Sequence, residues 1–232
     1  MPRGPRPLAP GLTYHVTARG NERRAIARDD ADRQFLLARL TDVAVRRAWL
    51  VASHCLMPNH LHLLVRTPDP DLSDGMRELL GHFARRFNDR HDRVGHLFQG
   101  RFHTRLVVRE AHRLELHRYL ARNPVAAGLC AVPEAYRWSA HAALLGLTPA
   151  PLFLDTSLEA FAGSRERYAA FVAAGTTFLA DLLGDGSPER LRAAADAGFT
   201  QRQIASALGL HQSSIARRLR ASRGSDPPDA FV

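Results

Sequence analysis

Two histidines stand one residue apart in the run Met57–Val65, MPNHLHLLV. Pro58 and Asn59 favour a turn, because proline fixes φ and asparagine tolerates tight bends. After them apolar residues recur with a period of two, the mark of a strand. Neighbouring strand side chains point to opposite faces, so His60 and His62 share one face and Leu61, Leu63 and Val65 the other. Two imidazoles side by side on a rigid strand can hold one divalent metal ion. For a His-x-His pair by itself the plainer reading, a pair of surface or core histidines, stays open. A second constellation lies downstream. Tyr119 and Asn123 are four residues apart, which puts them on one helix face. An asparagine amide oxygen is a hard ligand suited to magnesium or manganese. Two imidazoles and one amide oxygen would leave positions for a phosphate oxygen and water. A phenol is a weak nucleophile near neutrality, its pKa being about 10. A cation on a scissile phosphate would withdraw charge from phosphorus and set it against the attacking oxygen. Standing alone, Tyr119 would read as the core tyrosine of an amphipathic helix.

These residues need elements to position them. Tyr14–Arg19 alternates and reads as a first strand, closed by Gly20 and Asn21. Asp29 and Asp30 then open a helix with Phe35, Leu36, Leu40, Val43 and Val45 at helical spacing. A strand over Leu50–Leu56 and the histidine strand, joined by the short turn, form an antiparallel hairpin. Asp71 or Ser73 caps a second helix with Leu79, Leu80, Phe83 and Phe87 inward and Arg77, Arg85, Arg86 and Arg90 outward. Residues 96–99 and 101–108 read as extended segments around Gly100. Glu110–Arg122 reads as a third helix stopped by Asn123-Pro124, since a residue before proline avoids the α region. This order predicts an α+β fold near the ferredoxin-like plan, an antiparallel sheet with helices packed on it.

The wider organisation follows from composition. Residues 1–11, rich in proline and glycine with Arg3 and Arg6, read as a flexible basic arm. A catalytic domain is expected over 12–148, ended by Pro149-Ala150-Pro151. Residues 149–188 read as a helical bridging segment with Phe161, Tyr168, Phe171 and Val172 as apolar anchors. Residues 189–222 read as a separate basic helical module, and 223–232 as a flexible tail. The net charge of +9 and the pI near 10.9 favour a polyanionic partner, nucleic acid ahead of an anionic membrane. Cys55 and Cys130 lack zinc or disulfide spacing and read as buried free thiols of a reducing compartment. The N-terminal run lacks the apolar stretch of a signal peptide, and no stretch is long enough to span a bilayer. A cytoplasmic location without a membrane partner is the expectation.

Candidate nucleic-acid contacts fall in two places. Arg85, Arg86, Arg90 and Arg93, followed by Phe98, Gln99, Arg101 and Phe102, interleave cations that can track phosphates with rings that can stack on bases. Most of the phenylalanines read as core; Arg85, Arg86, Arg90 and Arg101 are the candidates for DNA. In the last module Thr200–Gln203 is a capping-box pattern. Ala205, Gly209 and Ile215 then match a helix-turn-helix: a small residue where helices touch, a glycine at the turn and an apolar anchor. Gln212–Arg220 would be the recognition helix. Gln212, Ser213 and Arg217 would face base edges, and Arg218 and Arg220 phosphates. A small dimerising bundle is the alternative.

Taken together, MPNHLHLLV, GHLFQGRF (Gly95–Phe102) and RYLARNPVAAGL (Arg118–Leu129) resemble, in order and spacing, the single-tyrosine HUH transposases, and among them the REP-associated tyrosine transposases. The resemblance covers roughly residues 8–147. It implies a sheet domain that binds single-stranded DNA beside a folded-back hairpin. It implies a tyrosine that attacks a backbone phosphate, leaving a 5′-phosphotyrosine and a free 3′-hydroxyl. His60 and His62 match the metal pair of that family, Tyr119 its nucleophile and Asn123 the polar residue that completes the Mg2+ or Mn2+ site. A homodimer is compatible with the family. The other tyrosines, Tyr14, Tyr136 and Tyr168, lie outside the motif, so a two-tyrosine mechanism is not expected. The alternative function is a domesticated DNA-binding or regulatory protein that recognises repeat hairpins or a promoter without obligatory cleavage.

Overall fold

The structure is a computed structural model that describes residues 8–174, 183, 185–196, 201, 204–205 and 208–221. Two compact units divide the chain, Met1–Val172 and Ala173–Val232. The first is built on a four-stranded sheet: β1 (Thr13–Arg19), β2 (Leu50–Met57), β3 (His60–Arg66) and β4 (His103–Leu106), in the order β2-β3-β1-β4. Every pair is antiparallel, as the alternating strands and the two-residue turn at Pro58-Asn59 require. Three long helices go with it: α1 (Asp30–Arg46), α2 (Leu72–Arg90) and α3 (Glu110–Ala126).

Register decides which side chains share a face. Tyr14, Val16 and Ala18 stand opposite Val65, Leu63 and Leu61, and all six are buried. They form one apolar sheet face, in one core with Leu36, Leu40 and Val43 of α1 and Met76, Leu79, Phe83 and Phe87 of α2. Burying a side chain of this size stabilises by about 1.5–3 kcal/mol. The other face carries His15, Thr17 and Arg19 opposite Leu64, His62 and His60, with His103 and Arg105 of β4 alongside. α3 lies over this second face and touches β2 and β3.

Of the three long helices only α1 opens on a side-chain cap. The Asp29 carboxylate accepts from the Asp32 amide at 3.0 Å. Asp71 precedes α2, yet its carboxylate does not cap: it accepts from Trp49 Nε1 at 2.9 Å and from Arg47 at 2.8 Å. Trp49 also lies against Gly75, where any Cβ would overlap its ring, so glycine lets α2 approach this closely.

Four sequence expectations are corrected. Helix α3 does not stop at Asn123 but runs through Pro124 to Ala126. Within that run Pro124 brings no backbone N–H to the ladder, and Ala127 N closes the end on the Asn123 carbonyl at 3.0 Å. Of the extended residues around Gly100, only His103–Leu106 is a strand; Phe98 makes an isolated bridge to Gly20. Cys55 is buried, but Cys130 is only half-buried. Finally, residues 152–172 are no bridge. Phe153, Leu154, Leu158, Phe161, Tyr168 and Val172 join the core of the first unit. The single-turn α4 (His141–Leu144) precedes this stretch, and a helix, α5 (Arg165–Ala173), ends it.

In the second unit α6 (Pro188–Asp196) packs against α7 (Gln212–Ala221). Leu183, Leu191, Ala194, Ile204, Ala205 and Ile215 form its core. Gly209 takes φ +64 at the turn before α7, a backbone conformation that glycine adopts without strain. The basic arm at residues 1–7, most of the Thr200–Gln203 capping box and the tail from 222 onward lie outside the described residues.

Candidate active site

The histidine strand is pinned at its start. Gly20 N donates to the Asn59 carbonyl at 2.9 Å and Ile26 N to the Pro58 carbonyl at 2.8 Å. Asn59 Nδ2 donates to the Arg23 carbonyl at 3.0 Å. That bond orients the amide, so Oδ1 is the atom that meets His60 Nδ1, at 2.6 Å.

From this anchored start His60 and His62 project on one face, with ring centroids 4.7 Å apart and planes at 88°. Tyr119 of α3 lies over them, its ring 5.4 Å from that of His62. The sequence-predicted histidines and tyrosine are therefore brought together, although 57 residues separate His62 from Tyr119 in the chain. Asn123 follows one helical turn beyond Tyr119 and is half-buried.

Sequence reasoning missed His15 and Thr17. The His15 ring stacks 5.1 Å from His62 and meets Tyr119 edge-on at 6.1 Å. His15 Nε2 and Thr17 Oγ1 both lie on His62 Nδ1, at 3.0 and 3.1 Å. The alternation of YHVTAR does put His15 and Thr17 on one face; only the register of β1 on β3 puts that face beside His62.

Burial pushes the His62 imidazole well below its ordinary pKa, helped by the neighbouring His15, His60 and Arg19. His15 is lowered to about 4 by burial, then by His112 and Arg105. His112, on α3, is lowered to about 4 by burial and by Arg105. Near neutral pH these rings are lone-pair donors, the form that binds metals. His62 Nε2 is buried and has no hydrogen-bond partner among the described residues. An orphaned imidazole nitrogen of this kind is what a bound cation would satisfy, so these residues fit one. Among the described residues no three His, Cys, Asp or Glu side chains cluster as a cation cage. A two-imidazole site would therefore draw its third protein donor from another residue type, as the Asn123 amide could supply.

The predicted DNA-contact residues are dispersed. Arg85 and Arg86 are exposed on α2, in the helical layer across the sheet from Tyr119. With Phe35, Arg39, His82, Asp89 and Arg90 they line a surface groove of about 750 Å3, and Arg86 stands 4.6 Å over the Phe35 ring. Arg90 has another job: it is bound to Asp29 and Asp32, each at 2.7 Å, and ties α2 to the start of α1. Its charge is already matched inside the protein. Arg101 is exposed just before β4, while Phe102 beside it is buried. Gln212, Ser213, Arg217 and Arg218 are exposed on α7, and Ile215 is buried beneath them.

With this geometry in hand, residues 9–123 match the sequence model of the family described as Transposase IS200 like. The domain they form belongs to the IS200-like transposase family. The fold is similar to that of a REP-associated tyrosine transposase bound to a REP hairpin: TM-score 0.54 and 20% identity, over 67% of this chain and 93% of that one. A Deinococcus radiodurans protein assigned as a transposase aligns at 25% identity over 51% of this chain and 95% of its own, with a TM-score of 0.37. Among curated proteins, none matches the sequence.

Proposed function

We propose that the protein is a metal-dependent, single-tyrosine DNA strand transferase that cleaves and rejoins hairpin-bearing single-stranded DNA. The observation that carries this reading is the Tyr119 ring 5.4 Å from His62, on the face where His60 and His62 stand side by side. Membership of a transposase family makes DNA the substrate class, and the REP hairpin held by the fold neighbour makes hairpin DNA the first substrate to try.

His60, His62 and Asn123 would hold a divalent cation, magnesium or manganese. When bound, it supplies charge withdrawal from the scissile phosphate. The chain's own residues do the rest. The Tyr119 hydroxyl forms a bond to phosphorus as the bond to the 3′ oxygen breaks; the phenolic proton is lost to water and the departing 3′ oxygen takes one up. The phosphodiester energy is kept in the 5′-phosphotyrosine, so the 3′-hydroxyl can reverse the step on another strand end without a nucleotide cofactor. The His62 imidazole, held neutral by burial, keeps its lone pair for the cation. Arg85, Arg86 and Arg101 would track phosphates. The second unit would act as a helix-turn-helix that presents Gln212, Ser213, Arg217 and Arg218 to duplex DNA. Among the described residues no helix is long and apolar enough to cross a membrane.

The test is a cleavage assay on end-labelled single-stranded oligonucleotides carrying hairpins from beside the protein's own gene. The expected result is a denaturant-resistant protein–DNA adduct that needs magnesium or manganese and vanishes in Tyr119→Phe. Tight hairpin binding with no adduct under either metal would replace the enzyme with the regulatory DNA-binding reading.

A further inference from the structure

The two candidate metal histidines are each gripped by the same nitrogen. His60 Nδ1 meets Asn59 Oδ1 at 2.6 Å, and that oxygen can only accept. The Asn59 amide is itself oriented by its bond to the Arg23 carbonyl. Nδ1 of His60 must then carry the proton, which leaves the lone pair on Nε2. His62 Nδ1 meets Thr17 Oγ1 at 3.1 Å and His15 Nε2 at 3.0 Å. A hydroxyl oxygen always has a lone pair to offer, and a neutral His15 offers one on Nε2 in its Nδ1–H tautomer. The arrangement thus accepts a proton on His62 Nδ1 and again leaves Nε2 as the lone pair. That Nε2 is the buried atom without a partner among the described residues.

We propose that Asn59, Thr17 and His15 are positioning residues that lock His60 and His62 in the Nδ1–H tautomer, so that both present Nε2 to one cation. The inference deepens the strand-transferase reading and rests on it for the cation. It also explains a sequence feature that the metal ligands alone do not. The asparagine before the first histidine and the His-x-Thr of β1 belong to one device, assembled by the pairing of Thr17 with His62. Groups that hold the second ring nitrogen of a metal histidine fix its orientation, and their loss typically weakens metal binding roughly tenfold to a hundredfold.

The experiment reads the rings directly. Long-range proton–nitrogen correlation spectra of the full-length, metal-free protein report each imidazole tautomer at a fixed, mildly alkaline pH. His60 and His62 are expected as Nδ1–H. The pair His15→Phe with Thr17→Val is expected to shift His62 toward the other tautomer and leave His60 alone. Asn59→Ala is expected to do the reverse, and Thr17→Ser to preserve the parent pattern. A manganese titration should then weaken roughly tenfold to a hundredfold in the first two variants and only slightly in Thr17→Ser. Either ring found as Nε2–H in the parent overturns the proposal, and so do tautomers that do not move in folded variants. The parent spectrum decides even if a variant fails to fold. A parent that binds neither manganese nor magnesium overturns the cation reading itself and with it the purpose given to these residues. Bound manganese with unmoved tautomers overturns the positioning proposal alone.

Discussion

Two clusters in the first unit use the same side chains to opposite ends. Around Tyr119 stand His15, His60 and His62; around Tyr168 stand His117 and His141, with ring centroids at 5.9 and 5.3 Å. In the second cluster the hydrogen bonds of His141 close on themselves, while His117 Nδ1 is buried without a partner among the described residues. Glu134 accepts from His141 Nε2 at 3.2 Å, so His141 Nδ1 accepts from the Tyr168 hydroxyl at 2.8 Å. Tyr168 is fully buried, and burial drives its pKa up. In the first cluster His62 Nε2 is buried without a partner among the described residues, and Tyr119 is only half-buried. A tyrosine among histidines is therefore not a site by itself. What separates the two is the phenol: Tyr168 is fully buried with its hydroxyl on His141, whereas Tyr119 is half-buried beside the sheet histidines.

The largest test of that contrast exchanges the two phenols for phenylalanine. Tyr119→Phe should cut adduct formation by at least about a thousandfold, with stability within about 1 kcal/mol of the parent. Tyr168→Phe should do the opposite: adducts persist, while chemical denaturation finds a loss of about 1–3 kcal/mol, because His141 Nδ1 is left buried and unpaired. A folded Tyr168→Phe protein without adducts would break the comparison.

Next in size is the tether between α3 and the segment behind it. Arg118 is buried, pairs with Glu115 at 3.1 Å, donates from Nε to the Phe171 carbonyl at 2.9 Å and stacks 3.7 Å over the Phe171 ring. Arg118→Ala should cost about 3 kcal/mol in urea unfolding. The loss should stay at the low end for a buried pair. Burial already pushes the Glu115 carboxyl up to about 7, so the abandoned acid can take a proton instead of staying charged.

A pH titration of stability sharpens the comparison from the buried side. His54 and His117 are buried and lowered from 6.5 to about 4, chiefly by burial. Between those values the unfolded chain binds the protons that the folded one refuses, so stability should fall as pH drops from 6.5 toward 4. Each ring takes away about 2 kcal/mol by about pH 5. Glu115, raised from 4.5 to about 7, works the other way and offsets part of this loss. Thermal melts at neutral pH and about two units below it would measure the balance; equal melting temperatures would contradict it.

The smallest effects separate arginines that look alike in the sequence. Arg85→Gln with Arg86→Gln should lower the salt dependence of single-stranded DNA binding by about 0.7 in log–log slope for each phosphate that is no longer neutralised. Arg90→Gln should leave the slope unchanged and lower stability instead, since Asp29 and Asp32 would be deprived of their partner. Binding isotherms at several salt concentrations distinguish the two outcomes.

How far the sequence could be read follows the same division. Strands β1, β2 and β3, the two-residue turn and the inward faces of α1 and α2 were legible, apart from the exposed Val45, because a single periodicity set each one. His60, His62 and Tyr119 were legible as candidates from type and spacing, and the tertiary fold brings them together. His15 and Thr17 were not, since their part depends on which residues of β3 they face. Arg90 looked like an outward cation because Asp29 and Asp32, which hold it, are about 60 positions away in the chain. Pro124 suggested a helix stop, but the packing of α3 against the sheet and residues 158–172 carries the helix past it. Residues 149–188 read as a helical bridging segment because their apolar anchors are sparse, yet within 152–172 those sparse anchors fill the core of the first unit, where the surface they meet is already apolar.

The pairing of Leu61, Leu63 and Val65 with Ala18, Val16 and Tyr14 also guards the candidate site. Strand side chains alternate, so a slip of one residue would move those leucines out of the core and turn the histidines into it. A misassembled sheet could not hide as a stable but inert protein. The apolar residues act as a proofreading step for the candidate site: the register that buries them is the one that sets His60 and His62 on the face of His15 and Thr17.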